Sequence, residues 1–206
     1  PTKGRITPEE FIPLAEESGL IIDISNWVFN EVCANIKQWK AQNRQELQVS
    51  INTSPSHYFN LESNITQWLN LLLDQKISAR SILLEVTENL LMEANEMVSK
   101  KLFQFRQAGV DIALDDFGTG YSSISYLKRF PTDFIKIDRS FVKSMTDVSN
   151  DKVLCEAIIV MANKLGIKVV AEGVETQEQY DILKSMGCDY AQGYFIAKPL
   201  SKSDFE

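Results

Sequence analysis

A repeated alternation between helical periodicity and short apolar runs limits this chain's fold more than any other feature of its sequence. Apolar residues recur at helical spacing over Pro8 to Glu17, Ile22 to Gln42, Leu61 to Gln75, Asn89 to Gln107, Tyr121 to Phe130, Asn150 to Leu165 and Thr176 to Met186. Between them stand Leu47 to Ile51, Ile82 to Val86, Val110 to Leu114, Phe134 to Ile137, Lys168 to Ala171 and Tyr190 to Phe195, each of strand length and most rich in Ile and Val. Continuous apolar strands separated by helices are the pattern of a parallel sheet covered on its faces, so an α/β fold is expected. Gly109, Gly166 and Gly187 each stand between a helical stretch and the next strand, where a left-handed residue closes a helix. Six strands fall short of the eight in a TIM-type barrel, and Pro1 to Thr7 reads as a polar loop with no strand before it. Either the sheet is open and doubly wound, or the start of a barrel is absent. No GxGxxG or GxxxxGK[ST] follows any strand, which removes the usual reason to expect a nucleotide-binding open sheet.

Composition narrows the chemistry. A chain of 206 residues with 44% hydrophobic content is expected to form one domain, residues 1–206, around one sizeable core. With 21 basic against 28 acidic residues, a net of −7, it has no general attraction to DNA or RNA duplexes or to anionic membranes. Cys33, Cys155 and Cys188 are odd in number and lack CxxC spacing, so a reduced, cytoplasmic setting is the simpler reading. Apolar runs such as Trp68 to Leu73 stop well short of the roughly 20 residues that span a bilayer. His57, the only histidine, rules out a zinc site built on several imidazoles and is expected to be a packing residue on a loop or helix start. Carboxylates and lysine must carry any catalysis.

Those groups stand where the strands end. The successive strands lead into Asn52; Glu85, with Glu88 one turn on; Asp115 and Asp116; Lys136 and Asp138; Glu172 and Glu175; and Gln192. In a parallel sheet these ends share the ligand-binding face. Converging carboxylates repel one another by several kcal/mol in a pocket of low dielectric unless a cation neutralises them. Ligation by oxygen alone selects Mg²⁺ or Mn²⁺ over zinc or copper. Each residue has a plainer reading beside this one: an acidic residue after a strand often caps a helix, Glu88 suits a first turn, Lys136 can neutralise a neighbouring carboxylate, Asp138 can cap a helix from Arg139, and Gly118 and Gly120 can form a simple turn. It is the conjunction at six strand ends that favours a site.

The segments LEVTE (Leu84 to Glu88), DDFGTGYSS (Asp115 to Ser123), FIKIDRSFV (Phe134 to Val142), AEGVET (Ala171 to Thr176) and QGYFIAKP (Gln192 to Pro199) closely resemble the EAL domain family, in order and spacing. GRITPEEFIPLAEESGLI (Gly4 to Ile21) and SINTSP (Ser50 to Pro55) extend the resemblance along the whole chain. The resemblance implies a TIM-like (βα)8 barrel that hydrolyses one phosphodiester of the bacterial messenger cyclic di-GMP to linear pGpG, with Mg²⁺ or Mn²⁺, two ions per site. By position it implies Asn52, Glu85, Asp115, Asp116 and Glu172 as metal ligands, Lys136 as the lysine that orients or activates the attacking water, and Gln192 beside that water and the phosphate. Glu88 matches a glutamate anchoring the DDFGTGYSS loop, which the family links to homodimerisation. Gly173, Val174, Glu175 and Tyr194 fall where the family approaches substrate, alongside Asn52, Lys136, Glu172 and Gln192. Glu88 and Glu175 join Lys136 and Gln192 in the set expected to support catalysis.

One departure matters. The family's name motif lies upstream of the segment matching Gly4 to Ile21, and its Glu is a further metal ligand. No such triplet occurs here, so about the first two strands are expected to be missing and hydrolysis by the chain itself to be impaired. A sensory or GGDEF-type domain is expected in the parent protein, which can be membrane-anchored around a cytoplasmic EAL domain. Two other readings compete: a cyclic di-GMP receptor or regulatory module without catalysis, against which the intact DDF, KID and EGVE elements stand, and a Mg²⁺-dependent metabolic enzyme of the enolase kind, with Lys136 as base.

Overall fold

The structure, a computed structural model, describes residues 4, 6–42, 47–59, 65–120, 127, 129–145 and 149–205. The chain packs as two compact units, Pro1–Val86 with Glu93–Ile112, and Thr87–Met92 with Ala113–Glu206.

In the first unit, α1 (Pro8–Glu17) and α2 (Ile21–Ala41) precede β1 (Val49–Asn52), and α3 (Ser56–Phe59) and α4 (Ile65–Asp74) lead to β2 (Ile82–Thr87). The strands pair in parallel from Val49 opposite Ile82 to Asn52 opposite Glu85. Helix α2 buries Ile21, Ser25, Phe29, Cys33 and Ile36, spaced by three or four so that they form one stripe. Phe29 stacks on Trp68 of α4, centroids 4.3 Å apart, and each such buried side chain contributes on the order of 2 kcal/mol. After α5 (Glu88–Met92), which belongs to the second unit, α6 (Glu96–Gln107) returns to the first and buries Val98, Leu102 and Phe105.

The second unit takes all but the first two residues of β3 (Asp111–Phe117), then β4 (Phe134–Ile137), α7 (Arg139–Lys143), α8 (Asn150–Leu165), β5 (Lys168–Glu172), α9 (Gln177–Ser185), β6 (Tyr190–Gln192) and α10 (Lys202–Phe205). Here β3, β4, β5 and β6 lie side by side in chain order, all parallel. Every residue of β4 is buried, as a strand covered on both faces should be. Helix α8 ends at Gly166 with φ +72, its amide bonding back to the carbonyls of Ala162 and Asn163.

The expected alternation of helices and parallel strands is therefore present, with four differences. The single helix expected over Asn89 to Gln107 is two, because Asn95 in extended backbone caps α6 by accepting the Val98 amide. Strand β2 runs one residue further than expected, to Thr87, and β3 runs through both aspartates to Phe117, so Asp115 and Asp116 lie within the strand rather than beyond it. The last strand stops at Gln192, because the chain after Gly193 turns to bond Phe195 to Val174. The helix expected over Tyr121 to Phe130 lies largely outside the described residues, as do the first residues of Leu61 to Gln75. No helix among the described residues is long and apolar enough to cross a membrane.

Candidate active site

The second unit gathers most of the expected site around one lysine. Lys136, inside β4, is buried, and its Nζ lies 3.0 Å from Asp115 Oδ1 on β3 and 2.6 Å from Glu172 Oε1 at the end of β5. Adjacent parallel strands bring these three together. Glu172 is also the register partner of Gln192 on β6, so four successive strands contribute. Asp116 adjoins the group in left-handed backbone, φ +54, a conformation rare outside glycine and found where a site demands it. The pairing of β3 with β4 shifts register between Leu114 and Phe117, the local irregularity that accommodates that turn. Burial, then the charges of Asp115 and Asp138, push the Asp116 carboxyl above its ordinary range, against the opposing pull of Lys136 and Arg139. Crowded carboxylates beside a buried ammonium form a donor set of hard oxygens that fits a divalent cation. Among the described residues no three His, Cys, Asp or Glu side chains already stand close enough to enclose one.

Glu88 opens α5 and is buried, and its carboxylate faces Gly120, where a Cβ would sit 3.5 Å from Cδ and both oxygens. It stands as a first-turn charge, with the backbone of Gly120 close against its carboxylate. Gly118 in that turn has φ +99, and a Cβ there would lie 2.9 Å from Phe141 Cε2. Asp138 takes its plainer role and caps α7, accepting from the amide and hydroxyl of Ser140.

The loop after β5 is held by partners that sequence reasoning missed. Gln179, buried on α9, accepts the amides of Glu175 at 2.8 Å and Thr176 at 3.1 Å, and donates to the Val142 carbonyl at 3.1 Å. Thr176 returns the bond to the Gln179 amide, a capping box legible as T-x-x-Q. Val174 is fully buried, with its amide donating to the Gln192 carbonyl and its carbonyl accepting from Phe195, so it fixes the loop from the core. Gly173 is half-buried, whereas Glu175, Gln192 and Tyr194 are exposed.

In the first unit, Asn52 and Glu85 are register partners at the carboxyl end of β1, Asn52 exposed and Glu85 buried. Thr53, also missed, fastens β1 to β2 there: its amide and hydroxyl both donate to the Glu85 carbonyl, and Tyr58 OH lies 3.1 Å from its Oγ1. His57 is a packing residue, tilted against Trp68 at 5.0 Å, with its carbonyl accepting from Lys101. Burial and the Lys101 charge lower the imidazole to a pKa of about 4, so it is neutral at pH 7.

The EAL domain pattern matches residues 1–199. The chain is 37% identical over 200 residues to MucR of Pseudomonas aeruginosa, a bifunctional diguanylate cyclase/cyclic di-GMP phosphodiesterase, covering 97% of this chain and 29% of that protein. It superposes on the MucR phosphodiesterase in complex with c-di-GMP with a TM-score of 0.93 and 36% identity, over 100% of this chain and 83% of that one. BlrP1 of Klebsiella pneumoniae in its manganese/cyclic di-GMP complex is similar at a TM-score of 0.76 and 30% identity, over 93% of this chain and 47% of that one.

Proposed function

Since the chain belongs to the EAL domain family, we propose that it carries the catalytic residues of a cyclic di-GMP phosphodiesterase, hydrolysing one phosphodiester to linear pGpG with Mg²⁺ or Mn²⁺, two ions per site. The observation that carries this reading is Lys136, buried between Asp115 and Glu172 with Asp116 beside them. The phosphodiesterase activity of MucR and the manganese held by BlrP1 support it. The TIM-like α/β fold of the EAL type follows from the same superposition.

Asn52, Glu85, Asp115, Asp116 and Glu172 would hold the metal, oxygen donors throughout. When bound, divalent cations neutralise the anionic diester and lower the pKa of the attacking water. Water adds to phosphorus and the bond to the 3′ oxygen breaks, leaving a 5′-phosphate and a 3′-hydroxyl. Lys136 orients that water and places its charge beside the negative charge that develops. Gln192, in register with Glu172, positions water and phosphate. Gly173, Glu175 and Tyr194 meet the nucleotide, Val174 shapes their loop from the core, and Glu88 holds the DDFGTGYSS loop.

A homodimer through the region of that loop is part of the same proposal. Gly118 packs near Ile158 of α8, whose Val153, Leu154, Val160 and Leu165 are exposed. A cytoplasmic setting accords with three free cysteines. A sensory or GGDEF-type domain in the same protein accords with the bifunctional name of MucR.

The test is to titrate Mn²⁺ into the protein carrying this sequence and follow cyclic di-GMP by chromatography. Metal-dependent appearance of pGpG is expected. Binding without cleavage would support a receptor instead.

A further inference from the structure

The Lys136 ammonium occupies the oxygens a divalent cation would use. Its contacts at 2.6 Å to Glu172 Oε1 and 3.0 Å to Asp115 Oδ1 are charge-assisted bonds, and burial excludes the water that would weaken them. The Lys136 side chain is 5% exposed, against 13% for Asp115 and 19% for Glu172, so the partners open toward solvent while the lysine does not. A cation arriving from that open side meets two carboxylates already neutralised from within.

Resting on the metal-dependent reading above, we infer that Lys136 is the resident counter-ion of Asp115 and Glu172, and that a divalent cation binds by displacing its ammonium from these oxygens. Lys136 is then a positioning residue for the empty cage as well as a catalytic group in the loaded one. Breaking a buried ion pair costs stability, so the lysine lowers metal affinity while keeping the cation-free cage folded. Metal binding and movement of the ammonium are one linked equilibrium.

Two measurements test this. Calorimetric titration of Mn²⁺ should show roughly tenfold tighter binding to Lys136→Met than to wild type, together with a lower Tm for the variant in chelator and a larger rise in Tm on adding Mn²⁺. In the wild-type chain, where folding is not in question, the ¹⁵Nζ resonance of Lys136 should shift as Mg²⁺ saturates the site. Unchanged or weaker Mn²⁺ binding by a folded Lys136→Met, or an unmoved Lys136 resonance at saturating Mg²⁺, overturns the displacement and leaves metal dependence standing. Failure of wild type and variant alike to bind Mn²⁺ overturns both.

Discussion

At Gly193 one added methyl group would lie 2.2 Å from the Val174 carbonyl oxygen and 2.4 Å from its amide nitrogen, at a φ of +156 that favours glycine. Backbone cannot yield as a side-chain tip can. Gly193→Ala should therefore cost roughly 3 kcal/mol in urea unfolding and, by shifting the loop beside Glu172, lower turnover more than stability alone predicts. His57 offers a second test at this scale. Its native pKa of about 4 lies below the ordinary 6.5, so between those values the unfolded chain binds more protons. Its contribution is complete above pH 6.5 and is lost as pH falls toward 4, by up to about 3 kcal/mol. His57→Phe, which keeps the ring against Trp68, should flatten that part of the pH–stability curve; an unchanged slope would refute the assignment. The sequence set oxygen donors and one lysine at successive strand ends, and of that set the structure joins Lys136 to Asp115 and Glu172. The T-x-x-Q spacing that marks Gln179 was overlooked and Thr53 carries no comparable signal; the importance of both lies in the backbone groups they satisfy.

The element scale turns on how the loop after β5 is held. Gln179 binds the amides of Glu175 and Thr176 and the carbonyl of Val142, tying the start of α9 to the end of α7. Replacing it with Met leaves the two amides and the buried Val142 carbonyl without this partner. A loss of about 2 kcal/mol is expected, with faster hydrogen exchange at the Glu175 and Thr176 amides; Gln179→Glu, which keeps the acceptor, should restore the protection of those amides. Helices and strands were legible from periodicity to within a few residues, and glycine marked helix ends correctly at Gly109, Gly166 and Gly187. The break before α6 was not legible, since Asn95 caps by competing for a backbone amide inside an unbroken apolar period. The end of β3 was also read short: Asp115 and Asp116 lie within the strand, at its shift of register, although their polarity suggested its end.

For the whole molecule, the exposed apolar face of α8 is the feature a monomer explains least, with Val153 at 63% and Val160 at 50% exposure. Val160→Asp should shift sedimentation from dimer toward monomer while leaving the Tm of the monomer nearly unchanged; a wild type that sediments as a monomer would remove the dimer from the account. Family membership was legible because motifs carrying the chemistry recur in fixed order along the entire chain, and the EAL match over residues 1–199 bears that out. The packing into two compact units was not, because the chain re-enters the first unit at Glu93, within an apparently continuous helical stretch. In the proposed reaction, carboxylates and Lys136 direct water onto a phosphodiester of cyclic di-GMP. Its most direct test is cleavage in H₂¹⁸O by the protein carrying this sequence, with the product read by mass spectrometry. Expected is pGpG bearing one ¹⁸O on its 5′-phosphate, formed only with Mg²⁺ or Mn²⁺ and lost in Asp115→Asn. Cyclic di-GMP that is bound yet recovered uncleaved and unlabelled with metal present would contradict it.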